Sequence, residues 1–474
     1  MKPTHALCFL PAGMTSEAYS RTDGATGDKL ASIENLKEIE FNEKNLIIYS
    51  PPGVEDELSA RFLYSLAYAT LRHRSPDLIS EIIVFLRDQE PDIVRECGDY
   101  AHFDLKRTVW SLELLRQDIV ENKEFEIFRV KSPDTEPWNR FLNAIVKEKR
   151  HWFSAVWLHA DCYMYRRIWS IFQRSDTLMD YDYFGEQKML ATKKAAQMMK
   201  SILGTTRDLK RSRDNFQRLL KLSLWGERSA WMSEGCRLND LLVEYECDLL
   251  ADQSVAVWRD LRHAYDPVYV DIVTGNAGFE LFTDLLLADY IIRSKLAERV
   301  RFHLKAIPWF VMDATHKDFH WLLDFFRNHE FIELQGFARQ IQQHLQDRSF
   351  ILCEQSYFWT SAYDFSHMKQ VQPCLYVYLS EASLLIFKGD LNYRKLLGDV
   401  NYCSTDRFEN CLRGFQPTSV CALRAIKTDL YCGLTVCQVE WLNEDEPNWM
   451  VTGEKAVIQL AVKHRLSGDI IVAL

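Results

Sequence analysis

The chain has 474 residues, 47% of them hydrophobic and 26% charged, enough to bury a large core and to divide into two domains. A net charge of −10 speaks against a general nucleic-acid binder, because neutralising phosphates takes a surplus of Lys and Arg, and no uncharged run reaches the roughly 20 residues of a membrane span. Twelve scattered cysteines, with no CxxC pair and no zinc spacing, predict buried thiols in a reducing compartment, the cytoplasm or also the nucleus.

Residues 1–57 are rich in Gly, Ser, Thr, Asp and Pro, with one strand-like piece at Asn45 to Tyr49, and predict a poorly ordered extension. From 58 to 266 apolar residues recur three and four apart, which predicts a helical domain. Its helices are expected over Ala60 to Leu71, Pro76 to Arg87, Leu105 to Glu121, Trp138 to Lys147, Ser154 to Gln173, Phe184 to Ile202 and Thr206 to Leu224. In DCYMYRRIW, Tyr163, Tyr165, Arg166 and Arg167 are expected to pack between domains, with one arginine facing a substrate mouth as the alternative.

After Asp266-Pro267 the pattern alternates. Strands are expected over Val268 to Thr274, Val300 to Ala306, Phe350 to Leu352, Ser383 to Lys388, Val420 to Ile426 and Ala456 to Val462. Helices are expected over Phe279 to Leu296, Asp318 to Asn328 and Phe337 to Gln346. Alternation of this kind predicts a Rossmann-like, three-layer α/β/α domain over 267–474 with a mainly parallel sheet.

Such a sheet gathers polar residues at one edge: Asn276 after the first strand, Asp313 after the second, Asp390, Asn392 and Arg394 after the fourth, Lys427 at the end of the fifth. Carboxylate and amide oxygens suit a hard divalent cation such as Mg²⁺ or Mn²⁺, and Lys with Arg suits a phosphate. Singly, Asp or Asn after a strand is more often a turn former or helix cap, and Lys388-Gly389-Asp390 reads as a plain turn. Repetition at four strand ends favours a site. His316 and His320 are read as part of a helix start, with Asp318 in its first turn.

GNAGFELFTDLLLADYII, PWFVMDATHKDFHWLL, LLIFKGDLNYRKLLGD, LRAIK and PNWMVTGEKAVIQ, in this order, together with SLAYATLRHRSPDLISEI and LHADCYMYRRIW, resemble the metal-dependent damage-control phosphatases from about Ser59 to about Lys463. The likeness is greatest to the branch also reported to methylate protein glutamates. It implies a helical domain on an α/β/α domain, a divalent metal (Mn²⁺, Co²⁺ or Ni²⁺, with Mg²⁺ as a further candidate) and hydrolysis of small phosphorylated metabolites such as fructose 1-phosphate or fructose 6-phosphate. By motif position Asn276 and Asp313 take the metal, Asp313 is also the catalytic candidate, and Asn276, Asp390, Leu391, Asn392, Tyr393, Arg394 and Lys427 contact substrate.

The chain departs from that pattern where the family has Asp-Asn: Gly275 precedes Asn276, so one metal carboxylate is missing. Asp271 lies four residues back inside the strand and is not expected to replace it. A phosphatase is the leading reading. The alternatives are S-adenosylmethionine-dependent methyl transfer to protein glutamates, for which no GxGxxG loop follows a strand, and a phosphometabolite-binding pseudoenzyme, for which Gly275 is the warrant.

Overall fold

The computed structural model describes residues 48–228 and 242–463, which form two compact units. One holds residues 48–187 with Thr360–Ala362 and Asp399–Asn401; the other runs from Lys188 through the rest of the described chain. The boundary read from sequence at 266/267 lies inside the second unit. The first 47 residues, on which most of the expected extension falls, lie outside the described range; Ile48 pairs with Phe62 in an isolated bridge.

The first unit is helical, as its apolar spacing dictates. The expected break between Leu71 and Pro76 is instead a π-helical turn, Thr70–Arg74, leading into α1, Ser75–Asp88. Further helices are α2 (Ala101–Val120) and α3 (Trp157–Phe172). On α3 the expected interdomain role of Tyr163 and Arg166 gives way to packing within the unit. Tyr163 stacks on Phe125, and its hydroxyl donates to Glu126 O (3.0 Å). Arg166, fully buried, donates to both carboxylate oxygens of Asp134 (2.5 and 2.9 Å) under the ring of Phe128. A buried guanidinium requires such a bidentate partner, and Asp134 supplies it.

The second unit is built on a seven-stranded sheet in the order β1-β7-β6-β5-β2-β3-β4. Its strands are β1 (Leu249–Asp252), β2 (Tyr269–Val273), β3 (Arg299–His303), β4 (Phe350–Leu352), β5 (Leu384–Lys388), β6 (Ser419–Ala425) and β7 (Ala456–Ala461). Every pairing is parallel except β6 with β7. β5, β6 and β7 are buried at every position, so both faces of the sheet are covered, the condition under which parallel strands become continuous apolar runs. Six strands match the sequence reading to within three residues at each end. β1 was not expected: it is a four-residue edge strand, Leu-Leu-Ala-Asp, half-buried at three positions and too short to show a pattern.

Helices complete this unit: α4 (Gly185–Thr206, in this unit from Lys188), α5 (Arg213–Leu224), α6 (Phe279–Arg293), α7 (His316–Arg327), α8 (Ile332–Gln346) and α9 (Gly389–Leu397). α6 is buried on almost every side, which explains its all-round apolar sequence. α7 starts on a capping box between Thr315 and Asp318, in line with the helix start expected there.

Candidate functional site

From β2 the chain winds through β3 to β4 on one side of the sheet, whereas β5 and β6 lie on the other, so the order reverses between β2 and β5. A crevice opens outside the carboxyl ends of strands at such a reversal. The loops leaving β2 and β5 meet there: a Cβ on Gly275 would stand 3.3 Å from Lys388 O, and one on Gly389 would stand 4.0 Å from Gly275 Cα. The Gly275 Cβ would also stand 2.6 Å from Glu280 Oε1. The carboxylate of Glu280, from the first turn of α6, thus fills the room a side chain at 275 would take.

Asn276 and Asp313 are brought side by side by an isolated antiparallel bridge, in which Ala277 N donates to Met312 O (2.7 Å) and Ala314 N to Gly275 O (2.8 Å). The turn that delivers Asp313 is strained. Phe310 and Val311 have φ of 41° and 65°, and a β-branched residue in the left-handed region costs of order 1–3 kcal/mol. That cost persists because the bridge to the β2 loop fixes the turn.

Asp313 is buried, and Lys305, just past β3, lies 3.3 Å from its Oδ2 while donating to Thr274 O (2.8 Å). The ammonium attracts the carboxylate without being aligned as a donor, and Oδ2 has no hydrogen-bond partner. Burial therefore wins over Lys305 and pushes the Asp313 carboxyl up to about 6.

On the other side of Asn276 stands Glu227, from the short 3₁₀ turn Trp225–Glu227 that follows α5. Asn276 Nδ2 donates to Glu227 Oε2 (3.2 Å), and Lys427 Nζ donates to the same oxygen (2.8 Å). Burial pulls the Lys427 pKa down, but the carboxylates around it, Glu227 foremost with Glu280 and Asp390, together outweigh burial and raise it. The lysine stem is held by Gly453, at φ 73°, where a Cβ would stand 3.0 Å from Lys427 Cε. Only glycine permits that approach without displacement.

Beneath the mouth lies a third cluster. Lys388 Nζ is 3.0 Å from Asp284 Oδ1 and 3.5 Å from Glu280 Oε1, and it donates to Ser223 Oγ (2.9 Å), whose hydroxyl donates to Asp284 Oδ1 (2.6 Å). Glu280 Oε2 and Asp284 Oδ2 have no partner. Burial raises both carboxyls, that of Glu280 to about 8, against the pull of Lys388.

The residues of GDLNYR sit differently from what the resemblance implies. Asp390 Oδ1 accepts from Arg424 Nε (2.8 Å), Thr428 Oγ1 (3.1 Å) and Lys427 N (3.3 Å), so its carboxylate is engaged in fixing the Lys427 loop. Asn392 Nδ2 donates to Lys388 O (2.8 Å) and Thr274 O (3.2 Å), joining the two crevice loops. Tyr393 is buried and donates to Gln459 Oε1 (2.8 Å). Leu391 and Arg394 are buried as well. Asp271 is spent on Arg301 and His303, as its place within the strand led one to expect.

The sequence reading thus brings Asn276, Asp313 and Lys427 to one mouth and misses Glu227, Glu280, Lys305 and Lys388. Lys305 and Lys388 had a signal, since each lies at or just past a strand end. Glu227 had none, being 49 residues from Asn276 in an ordinary turn. Among the described residues no three His, Cys, Asp or Glu side chains are gathered as a ready metal cage. The donor chemistry nevertheless fits a divalent ion, with one amide, the partnerless Asp313 oxygen and a neighbouring carboxylate.

A family model described as the damage-control phosphatase ARMT1-like domain matches residues 70–442. A relative from Danio rerio named damage-control phosphatase ARMT1 is 34% identical over 442 residues, spanning 86% of this chain and 97% of its own. Its Homo sapiens namesake is 31% identical over 436 residues, spanning 86% and 98%. Among solved structures, a DUF89 family protein of Pyrococcus horikoshii aligns over 75% of this chain and 95% of its own, at 16% identity and a TM-score of 0.36.

Proposed function

The chain belongs to the damage-control phosphatase ARMT1-like family, and from that premise we propose that it hydrolyses small phosphate monoesters, sugar phosphates such as fructose 1-phosphate or fructose 6-phosphate, with a divalent metal at Asn276 and Asp313. The observation that carries this reading is the convergence of Asn276 Nδ2 and Lys427 Nζ on one carboxylate oxygen, 3.2 and 2.8 Å away. The group suited to a metal and the group suited to a phosphate are thereby one residue apart in space.

When bound, the metal (Mn²⁺, Co²⁺, Ni²⁺ or Mg²⁺) supplies Lewis-acid polarisation of the phosphoryl group. Lys427 neutralises charge on the phosphoryl oxygens, and the Asp390, Arg424 and Thr428 contacts hold its loop in place. Asp313, which would help to hold the metal, also has an oxygen with no hydrogen-bond partner with which to orient a water by accepting a hydrogen bond from it. The polar groups of this mouth are those of phosphate chemistry, and methyl transfer from S-adenosylmethionine draws no support from them.

A second reading, binding without turnover, is favoured by Gly275, whose side-chain room is filled by Glu280. Phosphate release from fructose 1-phosphate, assayed with Mn²⁺, Co²⁺ and Ni²⁺ in turn, separates the two. Hydrolysis that Lys427→Met lowers about a hundredfold is expected. Substrate binding by calorimetry with no phosphate released under any of these metals would sink the phosphatase reading in favour of the second.

A further inference from the structure

Asn276 and Asp313 bring one negative charge to a doubly charged ion. Oxygen sites for hard divalent cations are tuned by the count of anionic ligands, so a site with one carboxylate is weak unless another acid stands close. Three nearby acids are candidates. Asp271 is closed off within β2 by Arg301 and His303. Glu280 Oε1 stands where a side chain at 275 would, but Glu280 and Asp284 share the buried ammonium of Lys388, which holds them below the mouth, and neither accepts the Asn276 amide hydrogen bond, which goes to Glu227. Glu227 alone of these touches the amide, accepting Asn276 Nδ2 at 3.2 Å with a side chain only 7% exposed.

We propose that Glu227 supplies the second negative charge of the metal site, acting through Asn276 as a positioning residue. A carboxylate that accepts from the amide nitrogen settles which end of Asn276 is the oxygen presented to a cation, as partners of metal-ligating side chains do. It also sets the charge. The two pairs, Asp313 with Lys305 and Glu227 with Lys427, carry no net charge, and a divalent cation entering with a phosphate dianion leaves that balance unchanged. Without Glu227 these groups carry a surplus positive charge that repels the cation. The acid absent at 275 is thus replaced from a turn 48 residues upstream in the chain, and Lys427 is shared between Glu227 and the incoming phosphate. This inference rests on the metal-dependent reading given above.

The test is Mn²⁺ titrated into the whole protein by calorimetry, with circular dichroism as the check on folding. Wild type is expected to bind Mn²⁺, Glu227→Gln to bind it about 10- to 100-fold more weakly, and Glu227→Gln with Gly275→Asp to recover the loss by returning a carboxylate to the mouth. The Cβ of the added aspartate would stand 2.6 Å from Glu280 Oε1, which must swing aside, and 3.3 Å from Lys388 O, so circular dichroism must show the double variant folded before its affinity is read. Unchanged Mn²⁺ affinity in Glu227→Gln overturns the inference, as does a loss that Gly275→Asp does not recover. Tighter binding of inorganic phosphate by Glu227→Gln with Mn²⁺ affinity unaltered overturns it too, making Glu227 a cover on Lys427. If wild type binds Mn²⁺ and releases phosphate while Glu227→Gln matches it, only this inference falls. If wild type binds no Mn²⁺, the metal-dependent reading fails with it.

Discussion

Two groups of buried charge lie along and just beyond β2, and they are built to opposite ends. Inside the strand, Asp271 accepts from Arg301 Nε (2.6 Å) and Nη2 (2.9 Å) and has His303 Nε2 at 2.9 Å, so both oxygens are engaged. Past the strand's carboxyl end, Asp313, Glu280 and Asp284 each keep an oxygen without a hydrogen-bond partner. The first arrangement is what an ion pair needs if it is only to hold the sheet together. The second leaves one oxygen of each ion-paired carboxylate without a hydrogen bond, a cost that a bound cation or substrate would offset. Between these two groups of carboxylates, what differs is whether every oxygen is engaged.

The strongest way to break this contrast is Asp271→Ala. Removing Asp271 leaves Arg301 with the half-exposed Glu381 and Tyr378 O, and leaves His303 without its carboxylate, and a loss of about 3 kcal/mol is expected from urea unfolding, with no recovery on adding Mn²⁺. A loss under 1 kcal/mol would show that the inner cluster is not structural.

The pH dependence of stability probes the outer group. The Asp313 carboxyl rises from 3.8 to about 6 on folding, so the folded unit holds its proton more tightly than the unfolded chain does. Its contribution is full below pH about 4 and is lost as pH rises through 6, a swing of roughly 3 kcal/mol. Metal-free wild type should therefore melt higher at pH 5 than at pH 7.5 by more than Asp313→Asn does; equal slopes in the two proteins would contradict the assignment.

Lys427→Met should lower phosphate release about a hundredfold, equivalent to about 2.7 kcal/mol, while leaving the melting temperature within a few degrees. An unchanged rate would remove Lys427 from the site. The smallest effect belongs to Gly275→Ala. Its Cβ asks Glu280 Oε1 to move away from 2.6 Å and presses on Lys388 O at 3.3 Å, so a cost near 1 kcal/mol is expected in chemical denaturation. A gain in stability would mean that the room beside Gly275 is slack.

What the sequence disclosed follows from range. Strands β2, β3, β5, β6 and β7 are continuous buried runs, legible because each is determined by its own residues. The loop residues Asn276, Asp313 and Lys427 follow from strand ends in the same way. β1 escaped because four residues at a sheet edge, three of them half-buried, are too few to show a period. Glu227 escaped because its partners are 49 and 200 residues away. Asn392 and Tyr393 sit in a recognisable motif, yet their contacts with the β2 loop and Gln459 depend on how α9 is turned, which spacing along the chain does not reveal.

The 200-residue separation between Glu227 and Lys427 also says something about time. Contacts of such span form late, because their loop-closure entropy is repaid only once the intervening strands are in place. The bridge between Asn276 and Asp313 needs only the β2–β3 segment, whereas the lysine follows β6, itself held by the antiparallel β7, the last strand of the described chain. A compound that engages Asn276 and Lys427 together therefore recognises a finished sheet, and would protect the whole unit against unfolding, not merely the loops it touches.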